Sequence, residues 1–208
     1  MKSLELITPR NLGWLKLKLD DKELKFLWDM INERGEKIND RLAGNIDSSY
    51  EIYDKGGWFT ENVLLECGIK YEKNYGNIWS KVPITGSHPF TLSSMWVNYQ
   101  KQYEFNPLHD HTGVFSFVIW MKIPTDYEDQ KQISITKDSN LPVVSNFVLN
   151  YHNTLGMIAQ HVYAMSKDIE GTMLFFPSQL MLCVYPFFNC NKDRISISGN
   201  LSIDTNRI

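Results

Sequence analysis

The sequence predicts an α+β fold, a sandwich or jelly roll of mostly antiparallel strands packed against N-terminal helices. Two observations carry this. Residues 1–91 hold two stretches whose apolar residues recur at helical spacing. From Leu92 onward the texture changes to short runs of β-branched and aromatic residues separated by turn material. A third observation points to chemistry at the sheet: His109-Asp110-His111 leads directly into the apolar run Val114–Trp120, which reads as a buried strand.

Each element has a local cause. Leu15, Leu17 and Leu19 alternate with Lys16 and Lys18, the period of a half-buried strand. Asp20-Asp21 then opens a helix in which Leu24, Leu27, Trp28 and Ile31 form one apolar stripe, a pad against a sheet. Gly35 ends this helix, and Gly44 closes the region. Residues 45–57 are polar and turn-rich. Thr60 reads as the N-cap of a second helix, with Val63, Leu64, Cys67 and Tyr71 on one face. Residues 76–91 read as a connecting loop, with His88 a surface residue of no assigned role. Strands are expected over Met95–Tyr99, Val114–Ile123, Phe147–Tyr151, Met157–Tyr163, Thr172–Phe176, Leu182–Phe187 and Arg194–Ile203. No repeat or long linker divides the chain, so one domain is expected over 1–208, with 1–91 mainly helical support and 92–208 the jelly-roll core.

Composition narrows the function classes. The apolar and aromatic fractions of 43% and 13% are those of a packed globule. A net charge of -3 gives no electrostatic case for nucleic acid or an anionic membrane. No apolar run approaches the roughly 20 residues that span a bilayer. Met1-Lys2-Ser3-Leu4-Glu5 does not read as a signal peptide. Cys67, Cys183 and Cys190 are odd in number and lack metal spacing, so they read as reduced thiols and the expected compartment is the cytoplasm.

In a strand, residues i and i+2 share a face. His109 and His111 would then present two imidazoles side by side while Asp110 points away: half of a metal site. A mononuclear non-haem iron centre needs such a pair on one strand and a third ligand from a distant one. An anionic co-substrate such as 2-oxoglutarate also needs a fixed cation, for which the planar fork of arginine suits a carboxylate. The C-terminal run Arg194-Ile195-Ser196-Ile197-Ser198 puts Arg194 and Ser196 on one face.

Several stretches carry a resemblance: Trp96-Val97-Asn98-Tyr99, Glu104–Gly113 around the histidines, Phe175-Phe176-Pro177-Ser178, Val184-Tyr185-Pro186-Phe187 and Arg194–Asn200. Together they resemble the 2-oxoglutarate/Fe(II)-dependent oxygenase superfamily, with the closest likeness to a branch common in marine bacteriophages and ocean metagenomes. The resemblance is densest over Trp96–Gly113 and Phe175–Asn200. It implies a double-stranded β-helix (a jelly roll, cupin-like), with Fe(II) and 2-oxoglutarate as cofactors. It implies Arg194 with Ser196 on the distal carboxylate of 2-oxoglutarate; in an oxygenase of this kind His109 and His111 would bind the iron, and Asn98 or Tyr99 would line the pocket. The chain departs from the family twice. The usual His-x-Asp or His-x-Glu is His-x-His here. Leu182 stands where the third ligand, a histidine, is expected after Phe-Pro-Ser.

Three readings follow. The first is an iron- and 2-oxoglutarate-dependent oxygenase, hydroxylase-like, with a substitute third ligand for which His152 and His161 are candidates. The second is a degenerate member that keeps the jelly roll as a binding or assembly protein. The third is a cupin-type metal enzyme, disfavoured because Phe115 and Ser116 occupy the region of its expected glutamate. The substrate, a small molecule or a peptide, is expected to be selected by loops such as Thr125–Asn140 and by the N-terminal helices. Host cytoplasm is the expected location if the chain is phage-encoded, and the oligomeric state is left open, a homodimer being one option.

Overall fold

The computed structural model describes residues 3–78, 89–141 and 143–205. His88 and much of the connection expected over 76–91 lie outside the described residues. The strands are β1 Leu15–Lys18, β2 Ser49–Glu51, β3 Phe90–Gln100, β4 Asn106–His109, β5 Phe115–Lys122, β6 Phe147–His152, β7 Ile158–Tyr163, β8 Thr172–Pro177, β9 Met181–Val184 and β10 Arg194–Ile203. The helices are α1 Asp21–Asn32, α2 Leu65–Tyr75 and the short α3 Tyr127–Gln130. Two antiparallel sheets face each other, one of order β1-β8-β5-β10-β3-β2 and one of order β4-β9-β6-β7, the jelly-roll arrangement. Among the described residues no helix is long and apolar enough to cross a membrane.

The molecule has three layers: helices, large sheet, small sheet. One core lies between the helices and the outer face of the large sheet, where Leu27, Ile31, Phe59, Leu64 and Tyr71 meet Val97, Phe117, Phe175 and Ile197. A second lies between the sheets, where Val118, Trp120, Phe147, Leu149, Phe176 and Leu182 meet. β5 belongs to both, and seven of its eight residues are buried. That is why it reads as an unbroken apolar run rather than an alternating one.

The N-terminal region contributes more sheet than its sequence suggests. β1 pairs with β8 at one edge of the large sheet, and β2 pairs with β3 at the other. β2 falls inside the polar stretch 45–57; three residues are too few to reveal a period. α1 starts as expected. Asp20 accepts from the Glu23 N–H at 2.8 Å, and the Glu23 carboxylate accepts from the Asp20 N–H at 2.7 Å, a reciprocal cap.

The second helix is capped by a different residue from the one expected. A π-helical turn over Thr60–Leu64 precedes α2, so Thr60 lies inside the helical segment. Asp54 does the capping: its carboxylate accepts from the N–H groups of Phe59 and Thr60 at 3.0 and 2.7 Å and from the Thr60 hydroxyl at 2.7 Å. Asp54→Ala is expected to cost about 1–2 kcal/mol of stability, seen as a lower urea midpoint at unchanged slope.

Candidate functional site

The site grows from the inner face of the large sheet. β10 pairs with β3 so that Arg194, Ser196, Ser198 and Asn200 stand opposite Gln100, Asn98, Trp96 and Ser94. On the other flank, Ser196, Ser198 and Asn200 face Trp120, Val118 and Ser116 of β5. Alternation thus aims a row of polar side chains between the sheets, while Ile195, Ile197 and Leu201 turn to the helices. With β4 and β9 opposite, they enclose a cleft of about 360 Å³. Its mouth is lined by Ile38, Arg41, Leu42, Ala43, Gly44 and Ile46, a segment that sequence reasoning missed. Thr125–Asn140, expected to select substrate, lies elsewhere: Lys131, Ile135 and Lys137 line a separate depression with Tyr185 and Phe188. The N-terminal helices also stay clear of the cleft, because they cover the opposite face of the sheet.

His109 ends β4, and His111 follows in the turn. Their rings lie 5.3 Å apart at an interplanar angle of 22°, side by side as the i, i+2 spacing predicts. His109 Nδ1 lies 2.7 Å from the Pro107 carbonyl oxygen. A carbonyl only accepts, so this nitrogen carries a proton, and in the neutral imidazole Nε2 is the one left bare. His111 Nδ1 lies 3.0 Å from Asn200 Oδ1, and its ring stacks on Trp96 with centroids 5.7 Å apart. Burial pulls the His111 imidazole down from its usual 6.5 to about 4, so the ring is neutral at physiological pH. A histidine whose second nitrogen is tied to a carbonyl or amide is the usual form of a metal ligand.

Arg194 forms the floor. It is 2% exposed, and its Nη2 donates to the Ser145 carbonyl and hydroxyl at 2.8 and 2.7 Å. The contact from Nη1 to Gln100 Oε1 is long at 3.5 Å, and Nε has no partner. Phe187 lies under the guanidinium at 5.0 Å. Burial alone pulls Arg194 down from 12.5 to about 9, with no described carboxylate offsetting it, and it stays charged at neutral pH. Ser145, which grips it, adopts a left-handed backbone with φ of 64°, a conformation a non-glycine residue holds only when its surroundings enforce it.

The structure places the other expected residues as follows. Ser196 and Asn98 line the cleft and face each other across the β10–β3 pair. Asn98 is 5% exposed and accepts from the Ser49 hydroxyl at 2.7 Å. Tyr99 does not belong to the site. Alternation turns it to the far face, where it meets the Tyr50 ring at 6.0 Å with Arg34 over it. Leu182 stands directly opposite His109 and lines the cleft at 3% exposure. His161 shares that face, but the register His109–Leu182–Leu149–His161 sets it three strands away, on the order of 14 Å. There it packs on Trp14 and Tyr163. His152 is exposed, pairs with Ile158 at the turn end of the β6–β7 hairpin, and does not line the cleft. Neither supplies a third ligand. Cys183, one residue from Leu182, meets Asn150 instead.

A jelly roll with a histidine pair at one strand mouth and a buried arginine on the last strand defines the class: a jelly-roll oxygenase scaffold. The comparisons with known proteins agree. The family described as "Putative 2OG-Fe(II) oxygenase" matches residues 94–200, and the chain belongs to that family. Membership implies Fe(II) and 2-oxoglutarate as cofactors. No curated protein matches the chain. Among solved structures it is similar to a 2OG-Fe(II) oxygenase family oxidoreductase from Burkholderia pseudomallei, at 14% identity and a TM-score of 0.54 over 91% of this chain and 85% of that one. It is also similar to a prolyl hydroxylase from Trichoplax adhaerens solved with a hypoxia inducible factor peptide, at 13% identity and a TM-score of 0.51 over 93% and 84%. A third is the non-heme alpha ketoglutarate dependent carbocyclase SnoK, at 8% identity and a TM-score of 0.55 over 93% and 80%. At these identities the likeness is one of fold.

The residues present fit the two cofactors unequally. A dicarboxylate fits: the cleft ends on a buried cation with an unpartnered N–H and, among the described residues, no counter-ion, beside a serine hydroxyl. A three-ligand iron centre does not. Two imidazoles are in place, the side chain facing His109 is a hydrocarbon, and the described residues hold no group of three His, Cys, Asp or Glu that could bind a metal.

Proposed function

We propose that the chain acts as a 2-oxoglutarate-dependent oxygenase of the hydroxylase type with a depleted metal site. His109 and His111 are its two protein ligands, Leu182 fills the third position, and Arg194 with Ser196 grips the distal carboxylate of 2-oxoglutarate. The observation that carries this reading is Arg194. An uncompensated buried ion costs several kcal/mol, and the cleft holds that ion where only an incoming anion can neutralise it. Asn98 and Ser196 add neutral donors beside it, and the apolar walls from Val118, Phe147 and Phe176 exclude water. The substrate, a small molecule or peptide, enters past residues 38–46.

A second reading has its own observation. Leu182, set against His109, favours a member of the family that keeps the cleft for binding and no longer oxidises. The motif stretches 96–113 and 175–200 also support a place in the branch common in marine phages and ocean metagenomes, with host cytoplasm as the compartment.

Anaerobic calorimetry separates the readings. Fe(II) is titrated into native protein and into His109→Ala, with and without 2-oxoglutarate, and succinate formation is then followed in air. The oxygenase reading expects Fe(II) binding that 2-oxoglutarate strengthens and the variant loses, followed by succinate. 2-Oxoglutarate binding with neither Fe(II) binding nor succinate supports the degenerate member. No 2-oxoglutarate binding under any condition overturns both.

A further inference from the structure

We infer that Asn200 is a positioning residue that fixes the tautomer and ring plane of His111. Asn200 lies on β10 at 6% exposure and sits at the centre of a buried polar network. Its Oδ1 receives the Ser116 hydroxyl at 2.8 Å and lies 3.0 Å from His111 Nδ1. Its Nδ2 faces the hydroxyls of Ser94 at 3.0 Å and Thr112 at 3.4 Å. Ser116 is in turn 2.8 Å from the Ser178 hydroxyl, and both serines are wholly buried.

These lengths orient the amide. At 2.8 Å the contact from Ser116 suits an O–H···O bond and at 3.0 Å the contact to Ser94 suits an N–H···O bond, with Thr112 a longer contact on the same side. The oxygen therefore faces His111. An amide oxygen only accepts, so His111 must carry its proton on Nδ1 and leave Nε2 bare. The ring has little freedom to choose otherwise. Trp96 and His109 both stack on it, and Phe176 meets it edge-on at 6.0 Å. The backbone is tied as well: the His111 N–H donates to the Ser178 carbonyl at 2.8 Å, so Ser178 both joins the hydroxyl chain and holds the main chain. His109 reaches the same tautomer by a local route, through Pro107. The two imidazoles thus present matching bare Nε2 atoms, one set from within its own strand and one from a strand 89 residues away in sequence.

The consequence for metal binding rests on the reading proposed above, but the tautomer does not. Two-bond 1H–15N spectra of metal-free, 15N-labelled protein at pH 8 read the proton position on each ring directly. The native protein is expected to show His111 protonated on Nδ1. Asn200→Ala should move the His111 proton to Nε2 and leave His109 unchanged. Asn200→Asp, which keeps an accepting oxygen, should retain the Nδ1 proton. Co(II) affinity should fall about 10- to 100-fold in Asn200→Ala and recover in Asn200→Asp. If Asn200→Ala fails to fold, Ser94→Ala, which only loosens the amide, serves in its place and should weaken the Nδ1 preference. An Nε2 proton on His111 in the native protein would overturn the inference, as would an unchanged tautomer in a folded Asn200→Ala. A native protein that shows the Nδ1 tautomer yet binds no metal would uphold the inference and refute the metal-site reading.

Discussion

Arg194→Met is expected to remove 2-oxoglutarate binding while leaving the fold at least as stable as the native protein. Most substitutions of a fully buried residue destabilise; this one trades opposing costs. Leaving the Ser145 carbonyl without its donor costs about 1–3 kcal/mol. Removing a buried charge that no described carboxylate offsets returns several kcal/mol. The ligand has no such compensation, because it loses the one buried cation among the described residues. Breaking a buried, hydrogen-bonded charge pair costs about 2–5 kcal/mol, a weakening on the order of 30- to 5,000-fold. Two measurements check it: calorimetric titration with 2-oxoglutarate, and urea denaturation with and without it. The native protein should gain stability from the ligand, and the variant should gain none. A variant that still binds 2-oxoglutarate would remove Arg194 from the site.

The second large effect is a gain. Leu182→His should raise the affinity for Co(II) or Fe(II) by about 100-fold or more, taking about 3–4 kcal/mol for one ligand of a four-ligand zinc site. The reason is register: the new imidazole would stand directly opposite His109, on the cleft side of β9. The metal-free variant should be less stable, by about 1–3 kcal/mol, since a polar ring replaces a packed leucine. Leu182→Ala is the control and should bind no better than native. If Leu182→His gains nothing, the opposing positions do not converge on a common point, and a two-histidine site could not be completed from β9.

The two halves of the site differ in how far the sequence exposed them. The Arg194–Ser196 face was legible because strand periodicity is local: i and i+2 share a side wherever the strand runs; the histidine pair was legible from its spacing, although β4 ends at His109 and His111 lies just beyond it. The same rule separates Asn98 from Tyr99, only one of which can reach the cleft. The strand runs were visible for a related reason, and β10 has the bounds the sequence suggested. What stayed hidden depends on contacts distant in sequence. Asn106, whose buried Oδ1 has no partner, crowds Gly44 across the cleft mouth. Asn200 meets His111 only because β10 runs beside β5. Segment 38–46 has no period at all and lines the mouth because β2 docks on β3 just after it. His161 shows the converse. Its place on an expected strand made it a candidate ligand, and the number of intervening strands rules it out.

The order of strands in the two sheets bears on how the chain assembles. In the large sheet only β2 and β3 are neighbours both in sequence and in space, and in the small sheet only β6 and β7. Every other pairing closes a long loop, so formation of the native sheets is expected to be slow and cooperative rather than stepwise from hairpins. β10, synthesised after the nine other described strands, is the one that joins β3 to β5. Until it arrives, the nascent chain carries two long apolar strands with open flanks, the segments most exposed to mispairing with other chains. Arg194, Ser196 and Asn200 arrive on the same strand. Closure of the large sheet and construction of the cleft floor are therefore a single late event in the life of the molecule.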